Sequence, residues 1–380
     1  MKNPPRLLLV ATIAETIRAF LIPYACYFRG VGWNVDAMAR GVTKCDDLSL
    51  HFGRLIDAEW SRSPFDTSNI TPNIRALREA AKDYDIVHVH TPVAAFLTRL
   101  ALRHQKNAPH PAVVYTAHGF HFHRGGHKRS NFIFRKLEQL AGKWTDKLIV
   151  INREDYDAAL KFRIVPERDL IRMPGIGLDF ARYDGTSVSK TDVKQIHDQL
   201  GMKGDDALFS MIAEFRPNKR HADAVNALAK MGHVNTHLAF AGDGPAKEPI
   251  QHLAKSLGLS KRVHFLGKMK DVCPLIMASR AVLIPSEREG LSRTGMEAAC
   301  LGVPIIGSDA RGVKDIVLPN RGLLFPLGDT FALRDAMQQM IETPYRHTTP
   351  DPGWRIENLI QLHHELYSSL LRGNETTDER

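Results

Sequence analysis

Cysteine is scarce and scattered. Cys26, Cys45, Cys273 and Cys300 are the only four in 380 residues, and no two form a CxxC pair. That spacing supports neither a disulfide framework nor a zinc site, and the four read as reduced thiols. Long apolar runs are missing too. The opening MKNPPRLLLVATIAETIRAF offers five consecutive apolar residues before Thr12, Glu15 and Arg18 interrupt it. Such a run suits a buried strand better than a signal peptide. Nothing elsewhere approaches the roughly 20 apolar residues that span a bilayer, so a chain that does not cross the membrane is expected. Low-complexity sequence is confined to Gly373–Arg380, expected as a flexible tail. Acidic residues are outnumbered, 42 against 51 basic ones, for a formal charge of +9. An anionic partner follows: nucleic acid, a phosphorylated small molecule or an acidic membrane surface. No RNP, KH or zinc-finger pattern accompanies the basic residues, so nucleic acid is not the expected partner.

What the chain has in quantity is periodicity. Short apolar, β-branched runs predict strands at Arg6–Ala11, Trp33–Ala39, Asp85–His90, Ala112–Ala117, Lys147–Ile151 and Leu170–Arg172. A second set follows at Ala207–Ala213, Thr236–Ala241, Arg262–Leu266, Ala281–Pro285, Pro304–Gly307 and Gly322–Phe325. Nearly all are apolar throughout, as parallel strands covered on both faces should be. Amphipathic stretches between them predict helices, among them Pro92–His104, Arg153–Phe162, Arg220–Lys230, Ala246–Leu257 and Arg293–Cys300. The length favours two domains, and the alternating order makes both of them doubly wound α/β. Gly, Ser and Thr interrupt the pattern in the loop Pro174–Asp192, which sets the boundary. The expected organisation is an N-terminal domain over 1–175, a C-terminal domain over 176–350, a helix over 351–372 that crosses back to the N-terminal domain, and the tail 373–380.

Ligands of open parallel sheets bind at the carboxyl ends of the strands. The stretch PSEREGLSRTGMEAACLGVPIIGSD, Pro285 to Asp309, occupies such a place: a strand ends, a turn follows, and a helix begins near Arg293. Unpaired N–H groups and the positive helix end there attract phosphate, and Arg293 adds a formal charge. Glu289 in the turn and Glu297 one helical turn in would repel that phosphate. They suit hydroxyl groups on either side of it instead, a sugar and a ribose. A nucleotide sugar has this arrangement.

The two glutamates with seven residues between them, continuing into EAACLGVPIIGSDARG, resemble the donor-binding signature of retaining GT-B glycosyltransferases of family four. AGDGP (Ala241–Pro245), HFLG (His264–Gly267) and PGIGLD (Pro174–Asp179) occur in the family's order. VHVHTPVAAFLTRLALR, VVYTAHGFHFHRGG and LIVINREDYDAA in the first half are similar to the subgroup that extends lipid-linked bacterial polysaccharides, including the enzyme that adds N-acetylgalactosamine to a diacetylbacillosamine lipid carrier. The resemblance implies two Rossmann-like domains facing a cleft and a retaining transfer from a UDP-sugar. Glu289 would meet the donor sugar and stabilise charge at the reacting carbon, and Glu297 would bind the ribose. Lys219 would contact the diphosphate, with Gly290, Leu291, Ser292, Arg293, Gly242, Gly244 and Leu266 completing the donor site. The family's usual upstream arginine falls on Glu214, a departure for which Arg216 is the candidate substitute. His118 matches a family histidine that faces the donor. The family's N-terminal glycine-rich loop is absent; Thr12 and Ile13 occupy its place, with Thr12 and His90 as candidate acceptor contacts. No metal or other cofactor is expected, since helix N-terminus and basic side chains serve the diphosphate.

Asp155-Tyr156-Asp157 imitates a metal-binding DxD motif, but in a helix residues two apart diverge by about 200° and cannot chelate together. The segment from His121 to Lys147 is rich in Lys, Arg and His with Phe132, Ile133, Phe134 and Trp144 interleaved. Cations beside aromatics suit an anionic membrane surface, with Arg124, Lys128, Arg129, Arg135 and Lys136 as the contact residues. The expected protein is therefore a cytoplasmic glycosyltransferase, peripheral on the inner face of a bacterial membrane, that uses a UDP-sugar and an undecaprenyl-diphosphate-linked saccharide. A nucleotide-sugar epimerase of the same fold is the alternative.

Overall fold

A computed structural model describes residues 3–60, 70–103, 110–232, 235–319, 321–343 and 348–378. The chain forms two compact units, residues 1–177 with 356–380 and residues 178–355.

The first unit is built on seven parallel strands: β1 Arg6–Ile13, β2 Asn34–Arg40, β3 Leu55–Asp57, β4 Ile86–His90, β5 Ala112–Ala117, β6 Lys147–Val150 and β7 Leu170–Arg172, in the order β3-β2-β1-β4-β5-β6-β7. Alternation along each strand supplies both faces. On β1, Leu7 and Leu9 enter one apolar cluster while Leu8 and Val10 enter the other. Each leucine so buried contributes about 1.5–3 kcal/mol, which is why these strands read as unbroken apolar runs. The helix Ile356–Asp378 belongs to this unit: Leu359, Ile360 and Tyr367 close the cluster that holds Phe28 and Trp33.

The second unit carries six parallel strands: β8 Ala207–Ile212, β9 Thr236–Ala241, β10 Val263–Gly267, β11 Ala281–Ile284, β12 Ile305–Ser308 and β13 Gly322–Phe325, in the order β10-β9-β8-β11-β12-β13. Three of its described helices start on side-chain caps the sequence offers. Ser189 forms a capping box with Asp192, Ser292 accepts from Gly295 N, and Asp329 accepts from Phe331 N and Ala332 N. Both sheets reverse winding once, between β1 and β4 and between β8 and β11, and each reversal opens a crevice at the strands' carboxyl ends.

The structure departs from the sequence reading in four places. The three-residue edge strand β3 was not anticipated; with Leu55 and Ile56 only partly buried it has no apolar signature. Strand β1 continues to Ile13, which pairs with Arg40 across a register shift, so Thr12 and Ile13 lie within the strand and not in a loop after it. The segment expected as a tail from Gly373 is helical to Asp378, because a helix already formed extends at the low cost of one residue per added hydrogen bond. That last helix begins at Ile356, after the short turn Pro352–Trp354. His104, the expected end of the helix after β4, lies outside the described residues, as do Glu379 and Arg380 of the tail.

Candidate functional site

The crevice of the second unit gathers the charged candidates. Lys219 lies on the turn after β8 and Glu289 on the turn after β11, the two strands that flank the switch point. Lys219 Nζ donates to both carboxylate oxygens of Glu289, at 2.6 and 2.8 Å, and the pair is largely shielded from solvent. Backbone bonds hold the Glu289 turn: Glu287 N donates to Asn218 O at 2.8 Å and Glu289 N to Arg311 O at 2.9 Å. The helix Arg293–Cys300 then starts on its Ser292 cap, with Gly290 and Leu291 between cap and glutamate. An ammonium and the positive end of a helix face the same short loop, which is a place for phosphate oxygens.

Glu297 is buried within that helix. Its Oε1 accepts from the Tyr183 hydroxyl at 2.7 Å and from Arg293 Nε at 3.0 Å. Both bonds fall on one oxygen, so Oε2 retains its acceptor capacity. Tyr183, its phenol pushed up to about 12 by burial and then by Glu297, was missed in the sequence reading. It lies in the Pro174–Asp192 loop, which carries no periodic signal. Arg293, expected on the phosphate, is thus also a holder of Glu297.

Arg216 pairs with Glu214 at 2.7 Å, both about half exposed. The candidate substitute cation is therefore held by the acid that occupies the family's arginine position. Exposed pairs of this kind contribute about 0–1 kcal/mol and give way readily to a more highly charged ligand. Gly242 and Gly244 follow β9 at φ +147° and +151°. A Cβ on Gly242 would lie 2.0 Å from Ala213 O, and one on Gly244 2.6 Å from Phe215 O. Both glycines let the loop after β9 close on the loop after β8, a structural reason for AGDGP that precedes any ligand. Leu266 lies on β10, partly buried.

The crevice of the first unit is built differently. Thr12 N and Oγ1 lie 3.0 and 2.7 Å from Thr91 Oγ1, tying β1 to the end of β4. His90 ends β4 and His118 follows β5, with His90 Nδ1 3.1 Å from His118 Nε2. His88 packs on His90 at 4.1 Å between ring centroids, and Nε2 of His88 meets Thr116 Oγ1 at 2.7 Å. His363 and Tyr367 of the last helix complete the cluster; the Tyr367 hydroxyl bonds His88 Nδ1. Burial pushes His118 and His363 down to about 4 and holds His88 and His90 well below the ordinary histidine range. Alternation along β4 puts His88 and His90 on one face; the last helix's share in the cluster has no local signal.

The basic segment forms the helix Lys128–Gly142. Arg124, Lys128, Arg129 and Lys136 are exposed, and Phe132 and Ile133 lie among them at 53% and 47% exposure. Arg135 is more enclosed, its guanidinium 4.7 Å from the Phe162 ring centre. Phe134 turns inward to the core. Asp155 and Asp157 lie on the helix Arg153–Lys161. Asp155 is buried and bonded to Asn152 Nδ2, whereas Asp157 is exposed beside Arg153.

Residues 25–175 match the model for glycosyltransferase family 4, and residues 192–350 the model for glycosyl transferases group 1. Over 344 residues the chain is 33% identical to EpsD of Bacillus subtilis (strain 168), a protein named as a glycosyltransferase, covering 89% of this chain and 88% of that one. An Escherichia coli enzyme named UDP-Gal:alpha-D-GlcNAc-diphosphoundecaprenol alpha-1,3-galactosyltransferase is 28% identical over 68% of this chain and 67% of its own. Among solved structures, Anabaena Alr3699/HepE in complex with UDP-glucose superposes with a TM-score of 0.76 and 19% identity, over 96% of this chain and 99% of that one. The two Rossmann-like units are those of the GT-B fold.

Proposed function

We propose, for a chain that belongs to the glycosyltransferases of family 4, group 1, that this hexosyltransferase moves a hexose or N-acetylhexosamine from a UDP-sugar to a saccharide carried on undecaprenyl diphosphate, with retention at the transferred carbon. The observation that carries the reading is the Lys219–Glu289 pair at the switch point of the second sheet, beside the N-terminus of Arg293–Cys300. An arriving diphosphate takes up Lys219, the Ser292 helix end and, once freed from Glu214, Arg216. The ribose hydroxyls reach Glu297 Oε2, and Glu289, relieved of part of its hold on Lys219, meets the donor sugar and the positive charge that develops at its reacting carbon. In this reading lysine, arginine and helix end neutralise the leaving diphosphate in place of a divalent ion. The complexes of Alr3699/HepE with UDP and UDP-glucose support the donor class, and the printed substrate of the Escherichia coli relative supports the acceptor class.

The acceptor's polyprenyl chain would bring the enzyme to the inner face of the membrane. No described helix is long and apolar enough to cross a membrane, and the exposed face of Lys128–Gly142 offers reversible attachment. Each Lys or Arg near an anionic leaflet contributes about 1 kcal/mol. Changing Lys128, Arg129 and Lys136 to Gln should release the protein from anionic vesicles and slow transfer to long-chain acceptors more than to a short soluble analogue. Equal losses on both acceptors would assign these residues to the fold or to the acceptor's diphosphate.

The reading as a whole is tested by incubating the purified chain with a panel of UDP-sugars, with and without an undecaprenyl-diphosphate saccharide, in EDTA. UDP release that depends on acceptor and survives EDTA is expected. Conversion of the UDP-sugar without acceptor would point to an epimerase, and activity restored only by Mg²⁺ or Mn²⁺ would overturn the metal-free mechanism.

A further inference from the structure

The hydrogen bonds of the histidine cluster fix more than its packing. His88 has both nitrogens engaged, by Tyr367 and Thr116. His363 Nδ1 lies 2.7 Å from the carbonyl oxygen of Leu359, so its proton sits there. His90 differs. Its Nδ1 shares one hydrogen bond with His118 Nε2, while its Nε2 is buried with no partner among the described residues. The adjoining cavity, walled by Leu9, Leu21 and Ile149 as well as by the rings of the cluster, has a volume of about 20 Å³, room for one water, and the surface it exposes is mainly apolar.

Two arrangements satisfy the shared bond when both rings are neutral, as burial requires. If His118 Nε2–H donates, His90 Nδ1 must be bare and the proton of His90 sits on Nε2, a buried N–H with nothing to bond. If His90 Nδ1–H donates, Nε2 is only an unused lone pair. Buried donors without acceptors are the rarer and costlier defect. The second arrangement leaves His118 with its proton on Nδ1, the nitrogen that has no protein partner among the described residues.

We propose that His90 is a positioning residue that locks His118 in the Nδ1–H tautomer, so that His118 offers its ligand a hydrogen-bond donor and not a base. Its partner is then an oxygen with lone pairs: a sugar hydroxyl, a carbonyl or a phosphate. A proton cannot be taken up at that nitrogen. The Nε2 side is filled by His90, so His118 cannot act as general base towards an acceptor hydroxyl without breaking the bond between the two rings. The tautomer follows from the cluster alone; its consequence for transfer rests on the reading that His118 meets the donor.

Nitrogen NMR on the full chain labelled with 15N-histidine separates the two. Long-range proton–nitrogen correlations distinguish a protonated from a bare ring nitrogen, and His118→Asn identifies the His118 signals by their loss. The wild type should show His118 protonated at Nδ1 and His90 likewise. His90→Phe, which keeps a ring and removes the donor, should move His118 towards Nε2–H, the form favoured by a free imidazole in water. It should also lower kcat about tenfold with less than a twofold change in donor KM. His90→Asn, whose amide nitrogen can stand near the place of Nδ1, should restore the Nδ1–H signature and part of the rate. A wild-type spectrum with His118 protonated at Nε2, or a signature unmoved by His90→Phe, overturns the proposal. The wild-type spectrum decides even if a variant fails to fold. A correct signature in a protein that transfers no sugar would leave the tautomer standing and remove the transferase role of His118.

Discussion

The two crevices, built on sheets wound the same way, hold opposite chemistry. That of the second unit is a set of charges already paired with one another: Lys219 with Glu289, Arg293 with Glu297, Arg216 with Glu214. That of the first is a stack of neutral imidazoles, threonines and a tyrosine, with no carboxylate among their hydrogen-bond partners in the described residues. A paired site answers a charged ligand by exchanging partners, and its occupancy should depend on salt and on single charges. A neutral, buried site answers by shape and by which nitrogen bears a proton, and its integrity should depend on pH.

The largest effect should come from Glu289→Gln, which removes the carboxylate charge and keeps its volume. Turnover should fall about 10²- to 10³-fold with an unchanged circular dichroism spectrum. Near-native turnover would place the reacting centre elsewhere. Lys219→Ala should weaken UDP by about 10- to 100-fold in calorimetry, because it deletes a charged contact and leaves Glu289 unpaired towards the diphosphate. Unchanged affinity would make the pair a structural one.

The acid response sharpens the contrast. His118 and His363 are held down to about 4 in the folded chain, against about 6.5 unfolded. Between those values the unfolded chain binds protons that the folded one refuses, so stability is lost as pH falls from about 6.5 towards 4 and is insensitive to these groups above that range. The melting temperature of the first unit should drop by about 5 °C or more over that window, and His363→Asn should flatten the slope. Among the described residues the second unit has three histidines that burial also lowers, His221 and His264 to about 4 and His237 below its ordinary value, against four in the first. If it melts first on acidification, the contrast fails. The smallest effect should be that of Arg216→Gln, raising the UDP dissociation constant about threefold or less, with Glu214→Gln lowering it by a similar factor. Equal changes at high and low salt would argue against a charge effect.

The fold was legible because parallel strands announce themselves. β5 and β9 are buried at every position, and their apolar runs need no knowledge of neighbours. β3 was not legible, since three residues at a sheet edge obey their partner strand and not their own composition. In the site, Glu289, Glu297 and Lys219 could be found from local spacing and resemblance, but that Lys219 grips Glu289 is a contact across 70 positions that no window of sequence contains. Tyr183 hid in a segment that reads as a linker. The bond from Tyr367 to His88 spans 279 positions, and a tyrosine on an amphipathic helix signals a core, never which histidine it will meet.

The return of the last helix to the first unit has a consequence for how the protein is made. Translation delivers β1 through β7 early, yet the helix that seals Phe28 and Trp33 is synthesised only after the whole of residues 178–355. Domains usually mature on the ribosome in order of emergence. Here the second unit, contiguous in the chain, can finish while the first still exposes an apolar face and an uncovered His88. The incomplete first unit is the stage at which chaperones should bind, and a chain that ends before Ile356 and has been released from the ribosome should present a second unit resistant to protease beside a first that is readily cut.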